Sequence, residues 1–204
     1  MTTEEMLFAF QENESTQYHE AAHAVVDYIY GFHPKRITYS FYEGDRRYTS
    51  FLRSQNGVLK TPKAREKAQR FAVSCIAGIA AESKVSGVPI VDLRSTSGLD
   101  DYKKVQFVLE RLMLHTVYEI CPAVNDAYIQ LWESRAVALI NRPEVWSAVE
   151  SLAGELMDCA GELGRNEIVT AIQHGVGSHA YLLPIACSDH FHGEHSPARS
   201  KHSP

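Results

Sequence analysis

Residues 19 to 23 read His-Glu-Ala-Ala-His. On a helix, His19 and His23 stand one turn apart and project from the same face, so two imidazoles reach one ion. Zinc accepts neutral imidazole nitrogen and brings no d-electron preference for a particular geometry. Glu20 lies about 100° round such a helix from His19. It is badly placed to join both histidines as a ligand, but well placed to reach a water on the metal. A carboxylate there takes the proton of a water attacking a carbonyl and passes one to the leaving amine. This is peptidase chemistry. Ala21 and Ala22 are small enough to let another helix approach. Two histidines and a glutamate beside a buried stripe would be costly to desolvate without a partner.

A catalytic zinc needs a third protein ligand and an open position for water. Asp101, in the string STSGLDDYKKV, falls in the first turn of a predicted helix, where free backbone N–H groups favour an ionised carboxylate. Its neighbour Asp100 suits the N-cap. The rival is Glu82, at the end of an apolar helix, which would make a His2Glu site of the thermolysin kind.

These residues need a scaffold, and the pattern of the chain predicts a mainly α (α+β) fold with a small β-hairpin or sheet after the HEAAH helix. That first helix is expected over 16–30, capped by Ser15 or Thr16 and stopped by Gly31, with Ala22, Val25, Val26 and Ile29 as its buried stripe. ITYSFY and RYTSFL around EGDR predict a hairpin over 36–52. Pro62 opens a second helix, 63–85, whose later half, FAVSCIAGIAA, is apolar on all sides and therefore buried on all sides. SGVPIVDLRSTSGLDD reads as a loop. Further helices are expected over 100–118, 124–140, from Pro143 through Leu156, and over 166–174. Residues 1–15 form an N-terminal extension, 16–180 the domain, and 181–204 a His-rich tail too polar to order itself.

Composition narrows the function classes. The chain has 204 residues and a net charge of −5, without a basic run, which argues against a nucleic-acid or anionic-membrane surface. A chain this long buries roughly 70% of its unfolded surface and needs no disulfide to fold. The four cysteines are widely spaced with no CxxC pair, as in a reducing compartment. The acidic start does not resemble a signal peptide, and the apolar run from Phe71 to Ala81 is about half the roughly 20 residues of a membrane helix. A soluble, cytoplasmic protein is the expectation.

Beyond the residue chemistry, YHEAAHAVV resembles the HEAGHAVV of FtsH-type ATP-dependent zinc metalloproteases. FAVSCIAGIAAES is similar to that family's buried helix with its G-R-A-A-E run, and SGLDDYKKV to its T-G-x-x-N-D-hydrophobic segment. The sequence separation of 78 from His23 to Asp101 also matches the family approximately. The closing helices, from AYIQLWESRAVALINRPEVW to GRNEIVTAI, resemble the family's too, so the likeness spans about residues 16–175. It implies that His19, His23 and Asp101 bind zinc and that Glu20 is the base. Three local departures stand out. Ala22 replaces a glycine, Ile79 replaces the arginine that would neighbour Glu82, and the segment from Gly98 to Asp101 is one residue shorter. The largest departure is the expectation of a stand-alone domain, without the family's ATPase module or membrane helices.

Three readings follow. The leading one is a zinc metalloendopeptidase, ATP-independent in itself, that hydrolyses flexible or unfolded polypeptides. The others are a catalytically silent regulatory or adaptor protein, and a zinc hydrolase that uses Glu82 as ligand and acts on a non-peptide amide. An intact Glu20 favours an enzyme. The hairpin edge is the candidate site for strand addition by substrate, with Ile37, Tyr39 and Phe41 on a core-facing side. The resemblance implies a ring, hence a homo-oligomer, and a separate ATPase is one route to stably folded substrates. His190, His192 and His195 in the tail read as a solvated tract with incidental metal affinity. His115 and His174 read as structural, and Trp132 and Trp146 as packing residues.

Overall fold

A computed structural model describes residues 3–44, 59, 61–113, 122–159 and 161–177, with side chains from residue 14 onward. Helix α1 (Thr3–Ile29) starts well before the expected residue 16. Residues 3–15 contain neither proline nor glycine, so nothing interrupts the helix there, and Ser15 and Thr16 lie inside it rather than capping it. Gly31, at φ 74°, is where the chain turns away.

The hairpin is tighter than the expected 36–52. Strands β1 (Arg36–Thr38) and β2 (Phe41–Glu43) pair antiparallel across Tyr39 and Ser40, so the turn precedes EGDR. RYTSFL lies outside the described residues. This register corrects the expected inward face. Cross-strand partners share a face, and Ile37 is opposite Tyr42 while Thr38 is opposite Phe41. Ile37 and Tyr42 therefore point inward together, whereas Tyr39 and Phe41 are exposed.

Helix α2 (Pro62–Ser86) begins as expected, with Pro62 in its first turn and the Thr61 hydroxyl oxygen accepting from the Ala64 amide at 3.1 Å. Every residue from Ala72 to Glu82 is buried, and α2 forms the centre of the core. The segment read as a loop contains a short helix, α3 (Ile90–Leu93). Then come α4 (Leu99–Met113), α5 (Pro122–Ile140) and α6 (Pro143–Asp158). The expected end of the third predicted helix, near residue 118, lies outside the described residues. Val145, Ala148, Val149, Leu152 and Leu156 form the buried stripe of α6.

Strand β3 (Glu162–Gly164) joins β1 antiparallel, giving a sheet of order β2-β1-β3, and α7 (Arg165–Val176) closes the described fold. The fold is thus mainly helical with one small antiparallel sheet, as expected. Trp132 is fully buried. Trp146 stacks on Tyr18 with centroids 5.5 Å apart. His174 is exposed on α7, and His115 and the His-rich tail lie outside the described residues. Among the described residues no helix is long and apolar enough to cross a membrane.

The elements that matter next meet at the middle of α2. Helix α1 crosses it on one side and the first turn of α4 on another. Arg94, just before α4, makes two hydrogen bonds with Glu133 of α5, at 2.8 and 2.7 Å, and Tyr102 of α4 donates to the same carboxylate. These bonds hold the start of α4 against the bundle.

Candidate metal centre

Successive turns of one face of α1 present His19, His23 and Asp27, all buried. Opposite them α2 has Gly78. A Cβ at that position would lie 2.5 Å from His23 Nε2 and 2.6 Å from His19 Nε2. Only a residue without a side chain lets the two helices close around these imidazoles. Asp101, in the first turn of α4, completes the group from a third direction.

The three side chains converge on one point. Asp101 Oδ2 lies 3.1 Å from His19 Nε2 and 3.2 Å from His23 Nε2, and one ligand atom from each residue lies within 4.8 Å of the other two. The edge of a tetrahedron around zinc, with metal–nitrogen distances near 2 Å, is about 3.3 Å. The far ring nitrogens decide the tautomers. His23 Nδ1 is 2.8 Å from the Ser74 carbonyl oxygen, which can only accept, so Nδ1 carries the hydrogen. His19 Nδ1 donates to Glu82 Oε2 at 2.8 Å. With both Nδ1 atoms as donors, the neutral rings turn bare Nε2 lone pairs toward a carboxylate oxygen. Three acceptors with nothing between them repel, and a cation resolves that. This buried His19, His23, Asp101 group could bind a metal ion.

A proton on His19 does the same for its contact with Asp101 when no metal is bound. Burial opposes a charge on His19, but its hydrogen bonds to Asp101 and Glu82 outweigh that and raise its pKa to about 9. Burial also works against the Asp101 charge. The neighbouring His23, the hydrogen bonds from both imidazoles and the Lys104 ammonium overcome it and hold that carboxyl well below the usual range.

Each of the three residues has an outer partner. Glu82 supports His19 and, through its other oxygen, accepts from Ser97 Oγ at 2.8 Å, in the loop that leads into α4. Glu82 is therefore on the far side of the His19 ring, not among the converging atoms. Lys104 donates to Asp101 Oδ1 at 2.8 Å, occupying one carboxylate oxygen and leaving Oδ2 to the group. Asp100 is exposed and pairs with Lys103 at 2.8 Å. Glu20 is half-buried, and its charge acts on both His19 and Lys104.

Residue chemistry alone had singled out His19, Glu20, His23, Asp101, Asp100 and Glu82. It missed Gly78, Ser74, Asp27, Tyr42, Ser97 and Lys104. A glycine inside the apolar half of a buried helix is a packing signal, so Gly78 was the one with a visible cue. Ser74 acts through its carbonyl, which every residue has.

No protein-family model matches this sequence, and no curated protein matches it significantly.

Proposed function

We propose that the chain is a zinc-dependent metalloendopeptidase acting on flexible or unfolded polypeptides. One observation carries the reading: two imidazole Nε2 atoms, whose tautomers are set by acceptors behind them, face a single carboxylate oxygen in a buried site. Two nitrogens and one oxygen suit zinc, and three protein ligands are the number that leaves a catalytic zinc an open position. The metal-site donors fit.

His19, His23 and Asp101 would hold the ion. When bound, zinc supplies Lewis acidity toward a carbonyl oxygen and makes water a nucleophile near neutral pH. The remaining work belongs to the chain. Glu20, next to His19 in sequence but free of the ligand cluster, accepts the proton of the attacking water on a carboxylate oxygen and returns one to the departing amine nitrogen. Glu82 and the Ser74 carbonyl keep both Nδ1 atoms protonated, so the Nε2 lone pairs remain available. Lys104 holds Asp101 Oδ1, which favours one-oxygen ligation. The resemblance of YHEAAHAVV and SGLDDYKKV to FtsH-type peptidases points to the same roles. The position of Glu82 behind His19 weighs against the alternative in which it is a ligand.

Cleavage of casein and of an unstructured peptide by the wild type, Glu20→Gln and Asp101→Ala tests the proposal. Glu20→Gln is expected to retain zinc and lose cleavage, and Asp101→Ala to lose both. A zinc-loaded wild type that cleaves neither substrate contradicts the peptidase reading.

A further inference from the structure

Asp27 is a buried carboxylate, one helical turn beyond His23, and has no place in the ligand set. Its two oxygens are each taken by a hydroxyl. Ser74 Oγ donates to Oδ1 at 2.5 Å, and the Tyr42 hydroxyl donates to Oδ2 at 2.6 Å. Burial raises its pKa and those hydroxyl donors oppose the rise. The chain also makes room for it. A Cβ at Gly44 would lie 2.7 Å from Asp27 Oδ2.

Both hydroxyl partners also touch His23. The Ser74 carbonyl accepts the His23 Nδ1 hydrogen at 2.8 Å. The Tyr42 ring lies nearly parallel to the His23 ring, at 15° and with centroids 6.1 Å apart. A mid-helix carbonyl already accepts from the amide four residues on, so its bond to an imidazole depends on how firmly the two helices are held together there. Asp27 supplies that hold, joining α1 to α2 through Ser74 and to β2 through Tyr42.

We infer that Asp27, Ser74 and Tyr42 are positioning residues that set the orientation of the His23 imidazole, linking the hairpin to the metal centre. The inference rests on the metal-centre reading. Burial alone does not explain it. A carboxylate in an apolar core is costly, and here both of its partners converge on one ligand.

The test uses the full-length chain with Tyr42→Phe, Ser74→Ala and Asp27→Asn. Tyr42→Phe keeps the stacked ring and removes only the hydroxyl; Ser74→Ala keeps the carbonyl. Zinc affinity is measured by competition with a chromophoric chelator, and ligand geometry by the visible spectrum of the Co²⁺-loaded protein. Loss of such outer-shell support weakens metal binding about 10–100-fold, and all three variants are expected to do so with a changed Co²⁺ spectrum and an unchanged far-ultraviolet circular dichroism spectrum. A purely structural network would lower the melting temperature and leave the Co²⁺ spectrum as in the wild type. That result in Tyr42→Phe and Ser74→Ala overturns the inference, even if Asp27→Asn fails to fold. Should the wild type bind neither metal, the metal-centre reading falls and this inference with it. Should the wild type bind both and the variants match it, only this inference falls.

Discussion

Glu82 Oε2 accepts the Nδ1 hydrogen of His19 at 2.8 Å, on the ring edge opposite the nitrogen that faces Asp101. A carboxylate behind a histidine fixes its tautomer and raises its basicity as a ligand. Glu82→Ala removes that support and also releases Ser97, so metal affinity should fall about 10–100-fold. Glu82→Gln, which still offers an acceptor, should fall less. Chelator competition measures both, and equal affinity in wild type and Glu82→Ala would remove Glu82 from the account.

Gly78 gives the sharpest steric prediction. Gly78→Ala puts a methyl 2.5 Å from His23 Nε2 and 2.6 Å from His19 Nε2, closer than either contact can stand without a shift. Overpacking of this kind costs about 1–3 kcal/mol, and the imidazoles are what must move. Metal binding should be lost while most helical signal in circular dichroism survives. A Gly78→Ala protein with normal metal content contradicts the close approach of α2.

The metal-free protein should respond to pH through His19. Its folded pKa of about 9 lies above the ordinary 6.5. The stability it contributes is therefore complete below pH about 6.5 and lost as the pH rises through about 9. Asp101 acts in the opposite sense. Its pKa is depressed, so its contribution is present above the ordinary carboxylate pKa and lost in acid. The melting temperature of the chelator-treated protein should fall across the alkaline window. Near neutral pH, metal loading should expel the His19 proton, seen as a dependence of calorimetric heat on buffer ionisation enthalpy. A heat independent of buffer would contradict this.

The Arg94–Glu133–Tyr102 cluster holds the start of α4, and with it Asp101. Glu133 is well covered, while Arg94 is about one-third exposed. Glu133→Ala removes three hydrogen bonds, two from Arg94 and one from Tyr102, and should cost about 1–3 kcal/mol in chemical denaturation. Metal affinity should weaken too, because the helix start that holds Asp101 loses its anchor. Unchanged stability would make the cluster a surface pairing of no consequence.

His19 and His23 were legible because their spacing is a property of one helix, and Asp101 because a helix start advertises itself through turn residues and paired acids. Glu82 was visible only as a rival ligand. Which side of an imidazole it takes depends on the crossing of two helices, which local pattern does not encode. The buried middle of α2 could be read from its composition. By contrast β3 is three residues long and pairs with β1 from far along the chain, too short for periodicity to register. EGDR has the composition of a turn, whereas the chain reverses four residues earlier, at Tyr39 and Ser40, so that Ile37 and Tyr42 share the inner face. Asp27 looked like any polar residue on an amphipathic helix; its role emerges only when Ser74 and Tyr42 arrive from other elements.

His19, His23 and Asp101 are proposed to hold one metal ion, and elemental analysis of the dialysed 204-residue chain, wild type beside Asp101→Ala, decides it. The pairing matters because the tail histidines His190, His192 and His195 are present in both proteins and cancel. The wild type should carry one equivalent of zinc per chain more than Asp101→Ala. Equal metal content in the two proteins would contradict it.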